Sequence, residues 1–221
     1  MTTLVLLDID GTLLTAFGEG RAAYYETLGE IFPDREFPAI DLAGRTDFGI
    51  WCELTGLVEG DEWEWFRKAY ARNMDRRLAA RPPELLPGVE SLLVALAADD
   101  RFEPGIVTGN LEHGSHVKIR HAGLHPWLSE VPAAYGDSVR DKDQLALQVA
   151  VARRAATDAG FRMVVVGDTV ADLRCARGAD AACLGVLTGG GSAEDLAQAD
   201  AVVADLSDTA AILDLLDRIA K

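Results

Sequence analysis

Two aspartates, Asp8 and Asp10, stand two residues apart at the end of an apolar run and are followed at once by Gly11 and Thr12. Residues i and i+2 of a continuing strand share a face, so both carboxylates can reach one site. Crowded carboxylates repel unless a cation lies among them. Mg²⁺ suits that place because it takes a few carboxylate oxygens, several waters and a substrate phosphate. Asp168, which ends a second apolar run, offers a third oxygen ligand. In-line phosphoryl transfer needs a nucleophile, neutralisation of the equatorial oxygens and a proton donor for the leaving group. Asp8 is the candidate nucleophile, attacking phosphorus to give an aspartyl-phosphate. Asp10 is the candidate acid for the departing alkoxide and then the base for water. Thr108, with a hydroxyl, and Gly109, with its N–H, are candidate donors to a phosphate oxygen.

These residues need a scaffold that brings distant segments to one edge. Thr3 to Leu7 is an apolar run that stops at Asp8, Gly105 to Val107 stops at Thr108, and Met163 to Val166 stops at Gly167-Asp168. Each reads as a buried strand ending in a polar turn. Between them, Val89, Leu92, Leu93 and Leu96, and later Ile212, Leu215, Leu216 and Ile219, repeat at helical spacing. Alternating strands and helices predict an α/β fold, a Rossmann-like doubly wound parallel sheet with ligands beyond the carboxyl ends of its strands. Residues 15–86 break the rhythm, with helical patterns at 20–31, 46–57 and 61–78 and little strand signal. They read as an inserted helical cap domain on a core of residues 1–14 and 87–221, able to act as a lid through its two linkers.

The bulk composition narrows the function classes. The 221 residues are 49% hydrophobic and 26% charged, which excludes a disordered chain. A net charge of −15 repels polyanions and opposes a nucleic-acid partner. It also repels a small phosphorylated substrate, so phosphate chemistry here requires a bound cation and locally placed Lys or Arg. Cys52, Cys175 and Cys183 form neither a disulfide framework nor a zinc spacing. With no basic leader pattern and no run near the roughly 18 apolar residues of a membrane span, the expectation is a cytoplasmic protein without a membrane partner.

The segment Asp8-Ile9-Asp10-Gly11-Thr12, the strand ending at Thr108, a later lysine, and Gly167-Asp168 with Asp172 together resemble, in order, the four motifs of the haloacid dehalogenase superfamily of phosphatases. The helical insertion is similar to the cap of its phosphoglycolate phosphatase and β-phosphoglucomutase-like branch. The resemblance implies that Asp8 is nucleophile and metal ligand, Asp10 acid/base and ligand through its carbonyl, and Asp168 a ligand, with Asp172 assisting the Mg²⁺ site. It implies a small phosphorylated metabolite as substrate and leaves the oligomeric state open. The lysine that pairs with the nucleophile is Lys142 or, alternatively, Lys118. No proline follows Lys142, where that branch commonly has one. Thr108-Gly109-Asn110 also departs from the usual Thr-Asn or Ser-Asn, which puts less weight on Asn110. Gly44-Arg45-Thr46-Asp47 resembles the branch's substrate-specificity loop, which makes Arg45 the candidate for gripping a distal group.

Other features have plainer readings. Only one lysine is needed at the site, so the other is expected to be a solvated helix charge. His113 and His116 lack a supporting ligand pattern and read as solvated. Gly189-Gly190-Gly191 lacks a P-loop ending and reads as a flexible loop. Trp51, Trp63, Trp65, Phe66 and Tyr70 read as helical core, with one of them free to wall a pocket. Asp172 as a first-turn acid would also favour its helix dipole. Competing functions are a β-phosphoglucomutase-like phosphomutase, a dehalogenase, which Asp10 opposes, and a non-enzymatic phospho-receiver module, which the insertion and the motif order oppose.

Overall fold

The computed structural model describes residues 1–157 and 159–220. Strand β1 (Thr2–Leu7) leads into β2 (Leu14–Thr15), then helices α1 (Glu19–Ile31), α2 (Asp47–Thr55) and α3 (Asp61–Ala80), then β3 (Glu84–Leu85). Next come α4 (Val89–Ala98), β4 (Phe102–Val107), α5 (Glu112–His121), α6 (His125–Leu128) and β5 (Ala133–Ala134). A short 3₁₀ turn (Lys142–Gln144) enters α7 (Leu145–Ala156), followed by β6 (Phe161–Gly167), α8 (Val170–Gly178), β7 (Ala182–Val186), β8 (Ala201–Val203) and α9 (Thr209–Ile219).

Six strands form one parallel sheet in the order β5-β4-β1-β6-β7-β8. The alternation of β1 sets the layers. Val5 and Leu7 enter one apolar cluster with Leu92, Leu96, Ile212 and Leu216 of α4 and α9. Leu4 and Leu6 enter the other with Leu145 and Val149 of α7 and Leu173 of α8. Pro104 sits inside β4 without breaking the sheet. The amides of Ile106 and Thr108 donate toward the β5 side, to Pro132 and Ala134, and at Pro104 that side lies before β5 begins. Chain order reverses on either side of β1, which opens a crevice at the carboxyl ends of β1, β4 and β6. The α/β, Rossmann-like core expected from the apolar runs is the observed fold.

Between β1 and β4 the chain builds the helical insert. Its entry and exit strands, β2 and β3, pair antiparallel, Leu14 with Leu85 and Thr15 with Glu84. Tyr24, Trp51, Trp63, Phe66 and Tyr70 pack together as its aromatic core, the Phe66 ring stacked on both Trp63 and Tyr70. Trp65 faces solvent instead. The insert seats on the core through the pairs Arg67–Asp137 and Arg120–Asp75 and through hydrogen bonds of its loop to the segment after β4.

Candidate active site

Asp8 follows the last residue of β1, its amide donating to Val166 O on β6 at 3.0 Å. The sheet thereby fixes the backbone of Asp8 against the strand that leads to Asp168. Asp8, Asp168 and Asp172 are all buried, and one ligand oxygen from each lies within 4.8 Å of the others. Gly167 makes the approach of Asp172 feasible, since a Cβ there would sit 2.1 Å from Asp172 Cγ. Asp172 has two tasks. One oxygen caps α8 by accepting from the amide and hydroxyl of Thr169, and the other pairs with Lys142 Nζ at 2.6 Å. Lys142 also reaches Asp8 Oδ1 at 2.8 Å, so one buried ammonium bridges two of the three acids.

Asp168 is held from two sides, by Thr12 Oγ1 at 3.2 Å and by the Gly190 amide at 2.7 Å, while the Gly191 amide donates to its carbonyl. The glycine run read from sequence as a flexible loop is therefore a hydrogen-bonded wall of the site. It could have been found only by knowing that the turn after β7 lies beside β6.

The carboxylate of Asp10 does not join the acid triad. It accepts from Lys118 Nζ at 2.5 Å and from Asn110 Nδ2 at 2.7 Å, and Asn110 donates also to Thr108 Oγ1 at 2.8 Å. Asn110, given little weight from sequence, is thus part of the arrangement. The expectation that one of Lys118 and Lys142 would be a solvated charge is corrected: both are buried, because each faces its own carboxylate across the crevice. Neither His113 nor His116 belongs to any metal-competent cluster among the described residues; His116 faces Glu112.

Charge and burial decide the protonation pattern. Burial pushes Asp8 up to about 7 despite the neighbouring Lys142, with Asp172 and Asp168 adding to the rise. Asp168 is raised for the same reasons, burial first and Asp172 next. Burial also pushes Asp10 upward, but Lys118 and Asn110 outweigh it and hold the carboxyl below its ordinary range. Lys142 is held charged, the pull of Asp172 and Asp8 exceeding the cost of burial. Three buried acids against one lysine leave an excess of negative charge. The donor set, carboxylate oxygens in a tight cluster, fits a hard divalent cation.

A cavity of about 390 Å³ spans the space between these acids and the insert. Thr108 and Gly109 line it from the core, and Arg45 from the loop before α2, with its guanidinium paired to Glu53. That loop closes tightly on the core: the Asp47 amide donates to Gly109 O at 2.7 Å, and a Cβ at Gly109 would sit 2.0 Å from Arg45 O. Asp47, which the sequence marks only as the last residue of the loop that carries Arg45, is a buried carboxylate raised to about 7 mainly by burial, with the Leu111 amide and Lys118 opposing that rise.

Raised carboxyls carry a sign. In metal-free protein, folded Asp8 and Asp47 keep protons up to about pH 7 that an ordinary aspartate loses near 3.8. The folded state binds more protons across that window, so stability falls as pH rises through it. Asp10 acts oppositely, its contribution being lost as pH falls below the ordinary carboxylate range. Thermal unfolding in EDTA across the window should show a shallower decline for Asp47→Asn than for the wild type. Equal slopes would remove Asp47 from this balance.

A family model described as haloacid dehalogenase-like hydrolase matches residues 2–180. No curated protein matches the chain in sequence. Among solved structures, a hydrolase from Pseudomonas syringae superposes with a TM-score of 0.69 at 24% identity, covering 100% of both chains. A predicted phosphoglycolate phosphatase from Haemophilus somnus gives 0.67 at 18%, covering 96% of this chain and 98% of that one. CbbY from Rhodobacter sphaeroides, solved in complex with phosphate, gives 0.65 at 19%, covering 94% and 96%.

Proposed function

Because the chain belongs to the haloacid dehalogenase-like hydrolase family, we propose that it is a magnesium-dependent phosphohydrolase acting on a small phosphomonoester through an aspartyl-phosphate at Asp8. The observation that carries this reading is the buried triad of Asp8, Asp168 and Asp172, two of them bridged by Lys142, with Asp8, Asp168 and Lys142 lining the cavity. Asp8 and Asp168, with the backbone carbonyl of Asp10, would hold Mg²⁺, and Asp172, whose carboxylate joins the same cluster, would assist them. Bound there, the ion would offset the triad's charge and that of the phosphoryl oxygens.

Asp8 attacks phosphorus, and the bond from phosphorus to the ester oxygen breaks with its electron pair leaving on the alcohol oxygen. Lys142 keeps one oxygen of Asp8 fixed and adds positive charge beside the transferring group. The Thr108 hydroxyl and the Gly109 N–H serve the phosphoryl oxygens. Asp10 supplies a proton to the alkoxide and then takes one from the water that hydrolyses the acyl-phosphate. The contact with Lys118 and Asn110 favours the ionised form of Asp10, so before it can donate to the alkoxide Asp10 must take a proton from solvent as that contact loosens. We assign residues 15–86 as the cap and residues 1–14 with 87–221 as the core, because β2 and β3 pair where the chain crosses between them. Among the described residues no helix is long and apolar enough to cross a membrane, and three buried free cysteines fit a reducing, cytoplasmic setting.

The test is release of inorganic phosphate from sugar phosphates, phosphoglycolate, nucleotides and p-nitrophenyl phosphate. Release is expected with Mg²⁺, is expected to stop in EDTA, and should return when Mg²⁺ is restored. Release that survives EDTA would refute the metal requirement. A phosphomutase shares the first half-reaction, and phosphate released in proportion to ester consumed separates the two.

A further inference from the structure

Tyr70 of α3 is 2% exposed, and its ring is held on three sides. It stacks on Phe66 with centroids 5.7 Å apart, meets Tyr24 edge-on at 5.6 Å, and packs so closely on α5 that a Cβ at Gly114 would sit 2.9 Å from Tyr70 Cε1. Gly114 lies one helical turn before Lys118, whose Nζ pairs with Asp10. The insert thus delivers a phenol to the flank of the cavity where Asp10 and Lys118 stand. Buried tyrosine hydroxyls usually find a protein partner. Those of Tyr24 and Tyr25 do, donating to Asp47 O at 2.8 Å and to Pro38 O at 2.9 Å. Tyr70 Oη makes no hydrogen bond among the described residues, yet it is not sealed in the interior as the unpartnered hydroxyls of Thr3 and Ser115 are. The opening it meets is the cavity that Tyr70 lines.

That hydroxyl is a neutral donor. Burial, with Asp47 and Asp10 near it, pushes the phenol well above its ordinary range, so the proton stays on its oxygen. The phosphohydrolase reading gives the phosphoryl oxygens to Thr108, Gly109 and Lys142 and the ester oxygen to Asp10, all groups of the core. What remains for a donor carried by the insert is the alcohol itself. An ester that fills the cavity displaces solvent from Tyr70 Oη and must supply a hydrogen-bond partner in its place. A hydroxyl or ether oxygen on the alcohol can accept there, whereas a hydrocarbon leaves the phenol unpaired.

We propose that Tyr70 is a specificity-determining residue whose hydroxyl donates a hydrogen bond to an uncharged oxygen of the leaving alcohol, so that the enzyme prefers phosphomonoesters of hydroxylated alcohols to those of plain alkyl alcohols. The proposal rests on the phosphohydrolase reading, and its test separates the two. The kcat/KM values of wild type and Tyr70→Phe are measured with Mg²⁺ on glycerol 1-phosphate, a hexose 6-phosphate and propyl phosphate, esters of equal charge. Wild type should favour at least one hydroxylated ester over propyl phosphate. Tyr70→Phe, which removes one oxygen and keeps the ring against Phe66 and Gly114, should lower that ratio about tenfold, chiefly through KM, the scale for losing one partner of a hydrogen bond. A role in packing or in the chemical step would lower all three esters alike. That unchanged ratio would overturn the proposal, as would a wild-type preference for propyl phosphate. If no ester is hydrolysed, the phosphohydrolase reading fails by itself. Calorimetric binding of the same three esters to both proteins then decides the role of Tyr70. Tighter binding of a hydroxylated ester that Tyr70→Phe abolishes supports it; equal selectivity in the two proteins, or no binding, overturns it.

Discussion

Asp8→Asn is expected to lower kcat on any accepted phosphomonoester by about 10⁴-fold or more, the scale seen when a covalent nucleophile is removed. The amide has nearly the shape of the carboxylate, and it can keep an oxygen toward Lys142 Nζ, now 2.8 Å from Asp8 Oδ1. It is a far weaker nucleophile and brings no negative charge to the cation site. The variant should fold, and in metal-free buffer it should unfold no more readily than the wild type, because it removes a buried acid from a cluster that already has too many. Loss of activity with retained stability separates a chemical role from a structural one. Residual turnover within tenfold of wild type would exclude Asp8 as the nucleophile.

Lys142→Met is expected to damage both stability and catalysis. Lys142 is buried and bridges Asp8 and Asp172, so its removal leaves three buried acids without their counter-charge. Breaking a buried pair by deleting one partner costs about 3–5 kcal/mol. The cost should be greatest at high pH, where the acids are ionised, and should shrink toward acid pH as they take up protons. Mg²⁺ should raise the melting temperature of the variant, since an ion bound only by the folded state stabilises it. Activity should fall by about 10²- to 10³-fold even when the protein is kept folded, the scale for losing one electrostatic stabiliser. Denaturant titrations at two pH values with and without Mg²⁺ read the first effect, and single-turnover rates read the second. A variant as stable as wild type at high pH without metal would mean that Lys142 does not neutralise the triad.

What was legible in the sequence follows from which interactions are local. Asp8, Thr108 and Asp168 could be placed at one edge because each ends an apolar run, and parallel strands put such ends together. Their partners were harder to read. Lys118 and Lys142 look alike in sequence, and only the packing of α5 and of the 3₁₀ turn shows that each faces a different aspartate. Two-residue strands such as β2 and β3 carry too few side chains to show a period, so the ribbon joining insert and core was invisible. The glycine wall against Asp168 and the buried Asp47 are contacts between segments far apart in the chain. No spacing rule reaches them.

The central claim is that a phosphoryl group passes through the carboxylate of Asp8, and chemical trapping tests it most directly. Enzyme turning over a phosphomonoester with Mg²⁺ is quenched with borohydride, which reduces an acyl-phosphate to the alcohol, and the peptide carrying residue 8 is weighed by mass spectrometry. The account predicts homoserine at position 8, dependent on both substrate and Mg²⁺. Turnover that leaves Asp8 unmodified while another carboxylate is reduced would contradict it.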